Sequence, residues 1–199
     1  MTISKGDKDS LEIAARFLAE GKVIVLPTDT VYGFSGIVPD CQEAIQKIKG
    51  RKEDKPFIRL ISSSQEIFKY TDDTIPQKLL DYWPGPLTII VPLKPELSEK
   101  NNYTAAFRCP KDNWLRQVIK KCGYPIYSTS VNMAGEPFLR DIHQIEEKFA
   151  DLVELIVDGD DFMETEGIPS TIVDITGGVC RVVRQGGIVL PENFIALSK

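Results

Sequence analysis

Three short segments of this chain concentrate side chains able to do chemistry, and none holds a histidine or a cysteine. The first is Val23 to Gly36, VIVLPTDTVYGFSG, where an apolar run gives way at Pro27 to Thr28, Asp29, Thr30, Tyr32 and two glycines. Hydroxyls and a carboxylate supply donors and acceptors, and Gly33 and Gly36 allow close backbone approach to a ligand. Taken alone, the same residues also describe a turn between two core elements. The second segment is Lys49-Gly50-Arg51 with Lys52 and Lys55. Arginine offers phosphate a bidentate fork and lysine a mobile point charge, which suits a polyphosphate. A solvated helix end, whose dipole favours cations, would carry the same residues. The third is Ser128-Thr129-Ser130-Val131-Asn132, three hydroxyls and an amide that bind anions without titrating near neutrality, in a composition also common in turns.

Arg108 closes an otherwise apolar run, a costly place for an unpaired guanidinium, so a carboxylate ligand or an acidic side chain should meet it. Ser170-Thr171 and Arg184 repeat the pattern of polar groups at strand ends. There is no GxxxxGK[ST] loop and no GxGxxG after a strand. His143 is the one histidine, and Cys41, Cys109, Cys122 and Cys180 form no CxxC pair. These counts disfavour serine-histidine chemistry, histidine-rich metal sites and zinc, and they read the cysteines as reduced structural thiols. What remains is positioning and charge neutralisation, as in adenylyl or phosphoryl transfer.

The elements that must position these groups alternate. Val23 to Leu26 reads as a strand buried on both faces, preceded by a helix bearing Leu11, Ala14, Ala15, Phe17 and Leu18. Ala44, Ile45 and Ile48 mark a second helix ending near Gly50, followed by a strand at Phe57 to Ile61. Short helices are expected from Ser62 to Tyr70 and from Ile75 to Tyr82, then a strand at Leu87 to Leu93. Tyr103 to Arg108 reads as extended, Pro110 opens a helix, and Pro125 to Tyr127 is a short strand feeding a loop from Ser128 to Pro137. A helix at Asp141 to Phe149, a strand at Leu152 to Val157, a hairpin of Ser170 to Ile175 with Val179 to Arg184, and a helix at Pro191 to Leu197 finish the chain. The fold class is α/β, a twisted mixed sheet with flanking helices, whose polar loops fall at strand ends where such folds place ligands.

At 199 residues, without a Pro/Gly/Ser-rich linker, the chain is expected to be one domain spanning 1–199. Its apolar runs are too short to cross a bilayer and its polar start lacks a signal-peptide core, so a soluble cytoplasmic protein without membrane contact is expected. The net charge of −5 argues against a general nucleic-acid coat. Yet six cations lie between Lys47 and Arg59 against Glu53 and Asp54, enough for a local anion site.

PTDTVYG at Pro27 to Gly33, KGR at Lys49 to Arg51, WPGPLT at Trp83 to Thr88, FRCP at Phe107 to Pro110, STSVN at Ser128 to Asn132, PST at Pro169 to Thr171 and VVRQG at Val182 to Gly186 together resemble the YrdC-type threonylcarbamoyl-adenylate synthases. The resemblance spans most of the chain, and the KxR and SxN pair are its most specific elements. It implies a YrdC-like fold around a deep basic cavity and a nucleotidyltransferase that converts L-threonine, bicarbonate or carbon dioxide, and ATP into threonylcarbamoyl-AMP and pyrophosphate. That product would serve a downstream threonylcarbamoyl transferase complex in tRNA modification. By the same resemblance, Thr30, Arg108, Ser128 and Ser170 would hold threonine. Arg51, Lys55, Thr104, Ser130 and Arg184 would surround ATP, and Phe138 would contact it through its backbone. Lys49, Arg51, Ser130 and Asn132 would be catalytic. Mg²⁺ is expected to accompany ATP, with no protein metal site assigned, although Asp29 offers a water-mediated ligand. Leu60 stands where some relatives have a histidine, and Lys55 where some have asparagine. At 199 residues the chain is expected to be the single-domain form, without the carboxy-terminal domain of the longer family form. A different reading, an RNA-binding module of the same fold that docks tRNA or ribosomal RNA, is disfavoured by retention of both KxR and SxN.

Overall fold

The computed structural model describes residues 1–51, 56–98, 103–159 and 167–191. In chain order they hold β1 (Thr2–Ser4), α1 (Ser10–Ala19), β2 (Ile24–Leu26), β3 (Gly33–Ile37), α2 (Gln42–Ile48), β4 (Ile58–Leu60), α3 (Gln77–Leu80), β5 (Leu87–Pro92), β6 (Thr104–Arg108), α4 (Asn113–Cys122), β7 (Ile126–Ser130), α5 (Ile142–Phe149), β8 (Leu155–Asp158), β9 (Thr171–Asp174) and β10 (Arg181–Arg184). Among the described residues these strands form one sheet in the order β1-β8-β2-β3-β7-β4-β6-β5-β9-β10. The pairs β1–β8, β2–β8, β4–β6 and β5–β9 are parallel, while β2–β3, β3–β7, β4–β7, β5–β6 and β9–β10 are antiparallel. The expected mixed sheet is therefore present.

Two apolar clusters support it. In one, Ala14 and Leu18 of α1, Leu115 and Val118 of α4, and Ile145 and Phe149 of α5 cover Val25, Phe34 and Ile156 of the sheet. Phe34 meets Phe149 edge to face at 5.0 Å, the arrangement that ring quadrupoles favour. In the other, Leu79 and Leu80 of α3 pack with Trp83, Leu87, Ile89, Phe107 and Val173. The four thiols are free and buried, and burial raises each thiol's pKa, so they behave as core residues.

The structure corrects several local expectations. Gly33 to Ile37 is the central strand β3, not part of a ligand loop. A Cβ at Gly36 would lie 2.4 Å from Cys41 Cβ and one at Gly33 2.7 Å from Ser128 Oγ, so both glycines make room for neighbouring side chains. β7 runs on through Ser130, which places Ser128 and Ser130 on a strand with period-2 geometry, not in a loop. Asp112, not Pro110, starts α4, its side chain accepting from the Leu115 N–H at 2.8 Å. The expected helix at 191–197 lies outside the described residues save for its first position. No described helix is long and apolar enough to cross a membrane.

Candidate active site

The KGR segment is shaped by how α2 ends. Lys49 caps the helix, Gly50 turns left-handed with φ +60°, and the N–H groups of Gly50 and Arg51 donate to the carbonyls of Lys47 and Gln46. This pairing is the Schellman arrangement, and it needs a residue tolerant of positive φ at Gly50. The turn sends the two cations different ways. Lys49 is buried, and its ammonium donates to Ser130 O at 2.5 Å, Asn132 O at 3.0 Å and Asn132 Oδ1 at 3.0 Å. All three of its protons are thereby used. Asn132 Oδ1 also accepts from Ser130 Oγ at 2.6 Å, and Asn132 Nδ2 donates to the carbonyls of Met133 and Glu136. KxR and SxN are thus one hydrogen-bonded unit. Arg51 leaves it half-buried, its guanidinium 5.2 Å from the Phe57 ring centroid.

Across the sheet, Arg108 at the end of β6 is buried, and its Nη1 donates to Asp29 Oδ1 at 2.9 Å. The acidic side chain expected to meet this guanidinium is therefore Asp29. Asp29 Oδ2 accepts from the Lys111 main-chain N–H at 2.9 Å, so both carboxylate oxygens are engaged within the protein. Ser170, just before β9, is linked to Thr88 by a hydroxyl–hydroxyl bond of 2.8 Å. Its carbonyl accepts from Arg184 Nε at 3.1 Å and Nη2 at 2.8 Å, and its Oγ from Nη2 at 3.1 Å. Burial first, and then repulsion from Arg108, lower the pKa of the Arg184 guanidinium. Thr28 donates its hydroxyl proton to Val31 O at 2.7 Å, so Thr30 supplies the proton in the 3.0 Å bond between the two threonine hydroxyls and retains lone pairs for a ligand.

These elements enclose a cavity of about 380 Å³. Thr30, Arg51, Arg108, Ser128, Ser130, Ser170, Arg184 and Phe138 of the expected set line it, brought from six separate parts of the chain. Lys49 and Asn132 do not line it and act on it through Ser130. Thr104 is exposed at the start of β6, about 13 Å along the strand from Arg108 at about 3.3 Å per residue, and does not line the cavity. Lys55 lies outside the described residues. Among the described residues no carboxylate lines the cavity and no cluster of three metal-ligating side chains exists, so the donors present do not fit a protein-held Mg²⁺.

Sequence reasoning missed two supports. Thr88 was visible within WPGPLT but carried no sign of its bond to Ser170. Thr171 Oγ1 accepts from the N–H groups of Gly186 and Ile188 and donates to Ile188 O, which clamps the chain after Arg184 against β9. Neither has a sequence signal, because each depends on which strands become neighbours.

A family model described as telomere recombination, that of Sua5/YciO/YrdC, matches residues 16–186. The chain is 33% identical over 193 residues to the threonylcarbamoyl-AMP synthase of Pyrococcus abyssi, covering 92% of this chain and 55% of that protein. It is 30% identical over 191 residues to the threonylcarbamoyl-AMP synthase of Photobacterium profundum, covering 89% of this chain and 100% of that protein. The chain thus spans about half the length of the archaeal relative and the whole of the bacterial one. The crystal structure of P. abyssi Sua5 complexed with L-threonine superposes with a TM-score of 0.83 at 29% identity, covering 100% of this chain and 61% of that one. With its sheet and its cavity in place, this chain belongs to the Sua5/YciO/YrdC family.

Proposed function

We propose that this chain is a threonylcarbamoyl-AMP synthase acting on L-threonine, bicarbonate or carbon dioxide, and ATP. The observation that carries the reading is a single cavity lined by Arg51, Arg108 and Arg184 together with the hydroxyls of Thr30, Ser128, Ser130 and Ser170. Such a lining suits one carboxylate and one polyphosphate and, among the described residues, holds no histidine, cysteine or carboxylate to activate a hydroxyl as nucleophile. In the reaction the threonine amine adds carbon dioxide and loses a proton, giving a carbamate. A carbamate oxygen then attacks the α-phosphorus of ATP, and pyrophosphate leaves with the electrons of the broken P–O bond. Both reactants are anionic, so the barrier falls when fixed cations offset their repulsion and hold them in line.

Arg108, Thr30, Ser128 and Ser170 are assigned to threonine, and Arg51, Ser130 and Arg184 to ATP. Lys49 and Asn132 position Ser130. Thr104, which does not line the cavity, is assigned to ATP on the family resemblance alone. Mg²⁺ is proposed to enter with the nucleotide as MgATP, held by phosphate oxygens, and no step is drawn through it. The product would pass to a transferase that modifies a tRNA adenosine beside the anticodon, in the cytoplasm. An RNA-docking module would need the cations but not the hydroxyl network around Ser170 and Ser130. Pyrophosphate release from ATP should require both threonine and bicarbonate, and equal release without threonine would refute the assignment.

A further inference from the structure

Asp29 has no place among the substrate contacts above, yet both its oxygens are engaged. It ties the loop after β2 to the segment after β6 through Arg108 Nη1 and the Lys111 N–H. The Asp29 side chain is 10% exposed and that of Arg108 4%, so the pair is nearly dry and removing either partner is costly. In a guanidinium, Nη1 lies on one edge, while Nε and Nη2 form the fork on another. Asp29 takes Nη1. Arg108 Nε is buried and has no hydrogen-bond partner among the described residues. A buried N–H left in that state marks a place where an acceptor is missing. A carboxylate meets arginine best through two parallel N–H···O bonds, and the Nε–Nη2 edge is the fork that Asp29 leaves open.

We propose that Asp29 is a positioning residue for substrate recognition, holding Arg108 by Nη1 so that its Nε–Nη2 edge receives the α-carboxylate of the amino-acid substrate. The proposal rests on the synthase reading, in which Arg108 pairs with threonine. Carboxylates on two edges of one guanidinium bring two negative charges together. Arg184, near enough to Arg108 for their like charges to repel, supplies the second positive charge. The geometry therefore closes electrically only when a substrate carboxylate is present.

Steady-state kinetics on the full chain test this with Asp29→Ala and Asp29→Asn, alongside thermal melts. Asp29→Ala should raise KM for threonine at least about tenfold while KM for ATP stays within about twofold. Asp29→Asn keeps one oxygen for Nη1 but loses the charge and turns its amide NH2 toward the Lys111 N–H, and should recover part of the threonine affinity. A threonine KM unchanged in Asp29→Ala, an equal rise in both KM values, or an Asn variant as impaired as the Ala variant would each overturn the orienting role. A wild-type chain without threonine-dependent pyrophosphate release would instead overturn the synthase reading. A measurement that needs no Asp29 variant is the Arg108 Nε–H resonance of the wild type, assigned by its loss in Arg108→Lys. Saturating threonine should shift it, and an unmoved resonance would overturn the proposal even if the Asp29 variants failed to fold.

Discussion

Lys49 and Asn132, 83 residues apart, are joined by a 3.0 Å hydrogen bond from the ammonium to the side-chain oxygen, and the same ammonium holds the main-chain oxygens of Ser130 and Asn132. The lysine of KxR is therefore a strut beneath the cavity wall, and the arginine two residues on lines the cavity itself. That division separates the two residues experimentally.

Lys49→Met should lower both stability and turnover, because three part-buried oxygens lose the buried ammonium that ties them together. We expect a loss of about 2 kcal/mol, or roughly 4–8 °C in Tm for a chain of this size. Arg51→Ala should leave Tm nearly unchanged and raise KM for ATP about tenfold or more, the effect of removing one charged contact to phosphate. Thermal melts paired with ATP titrations decide it, and equal Tm losses in both variants would contradict the division.

Burial, and then the neighbouring Arg51 guanidinium, push the Lys49 ammonium down to about 8. Above that pH it loses a proton and, with it, one of its three bonds to the Ser130–Asn132 turn. Turnover should fall in mildly alkaline solution. Stability should move the other way. The folded value lies below the unfolded one of about 10.4, so the unfolded state binds more protons between them and this group adds stability as pH rises through that window. The substrate amine also titrates in the alkaline range. Lys49→Arg, which keeps its charge throughout, tells the two apart: its residual activity should lack the descending limb.

Thr88→Val tests the hydroxyl chain behind Ser170. Thr88 is fully buried and the substitution is nearly isosteric, so the main change is loss of the 2.8 Å bond to Ser170 Oγ. Loss of about 1 kcal/mol of orientation corresponds to roughly a fivefold rise in KM for threonine. A rise in KM for ATP alone would show that Ser170 faces the nucleotide instead.

Gly186→Ala should damage the same wall by crowding. Its Cβ would lie 2.1 Å from Pro169 O and 2.5 Å from the backbone at Ser170 and Thr171, none of which can swing aside. We expect a loss of about 1–3 kcal/mol, with displacement of Arg184 and Ser170 visible as reduced turnover. Gly177→Ala, whose added Cβ meets nothing within 4 Å, serves as the control and should retain activity.

Much of this molecule was legible in its sequence. Apolar runs without alternation gave β2 and β5, period-3.6 patterns gave α1 and α4, and the Gly177-Gly178 break gave the β9–β10 hairpin, because these signals arise from local backbone chemistry and one-sided burial. The residue types fit for binding a carboxylate and a phosphate were also visible. Tertiary structure decided the rest. β3 is poor in strand-forming residues and exists because it is paired between β2 and β7, with Ser128 of β7 in the space at Gly33 and Cys41 in the space at Gly36. Whether Lys49 faced phosphate or propped a turn, and whether Asp29 met a metal or Arg108, depended on which distant segments the sheet order made neighbours. A side chain's chemistry is set by its atoms, but its role is set by the partner at hydrogen-bond distance, and that partner is chosen by the fold.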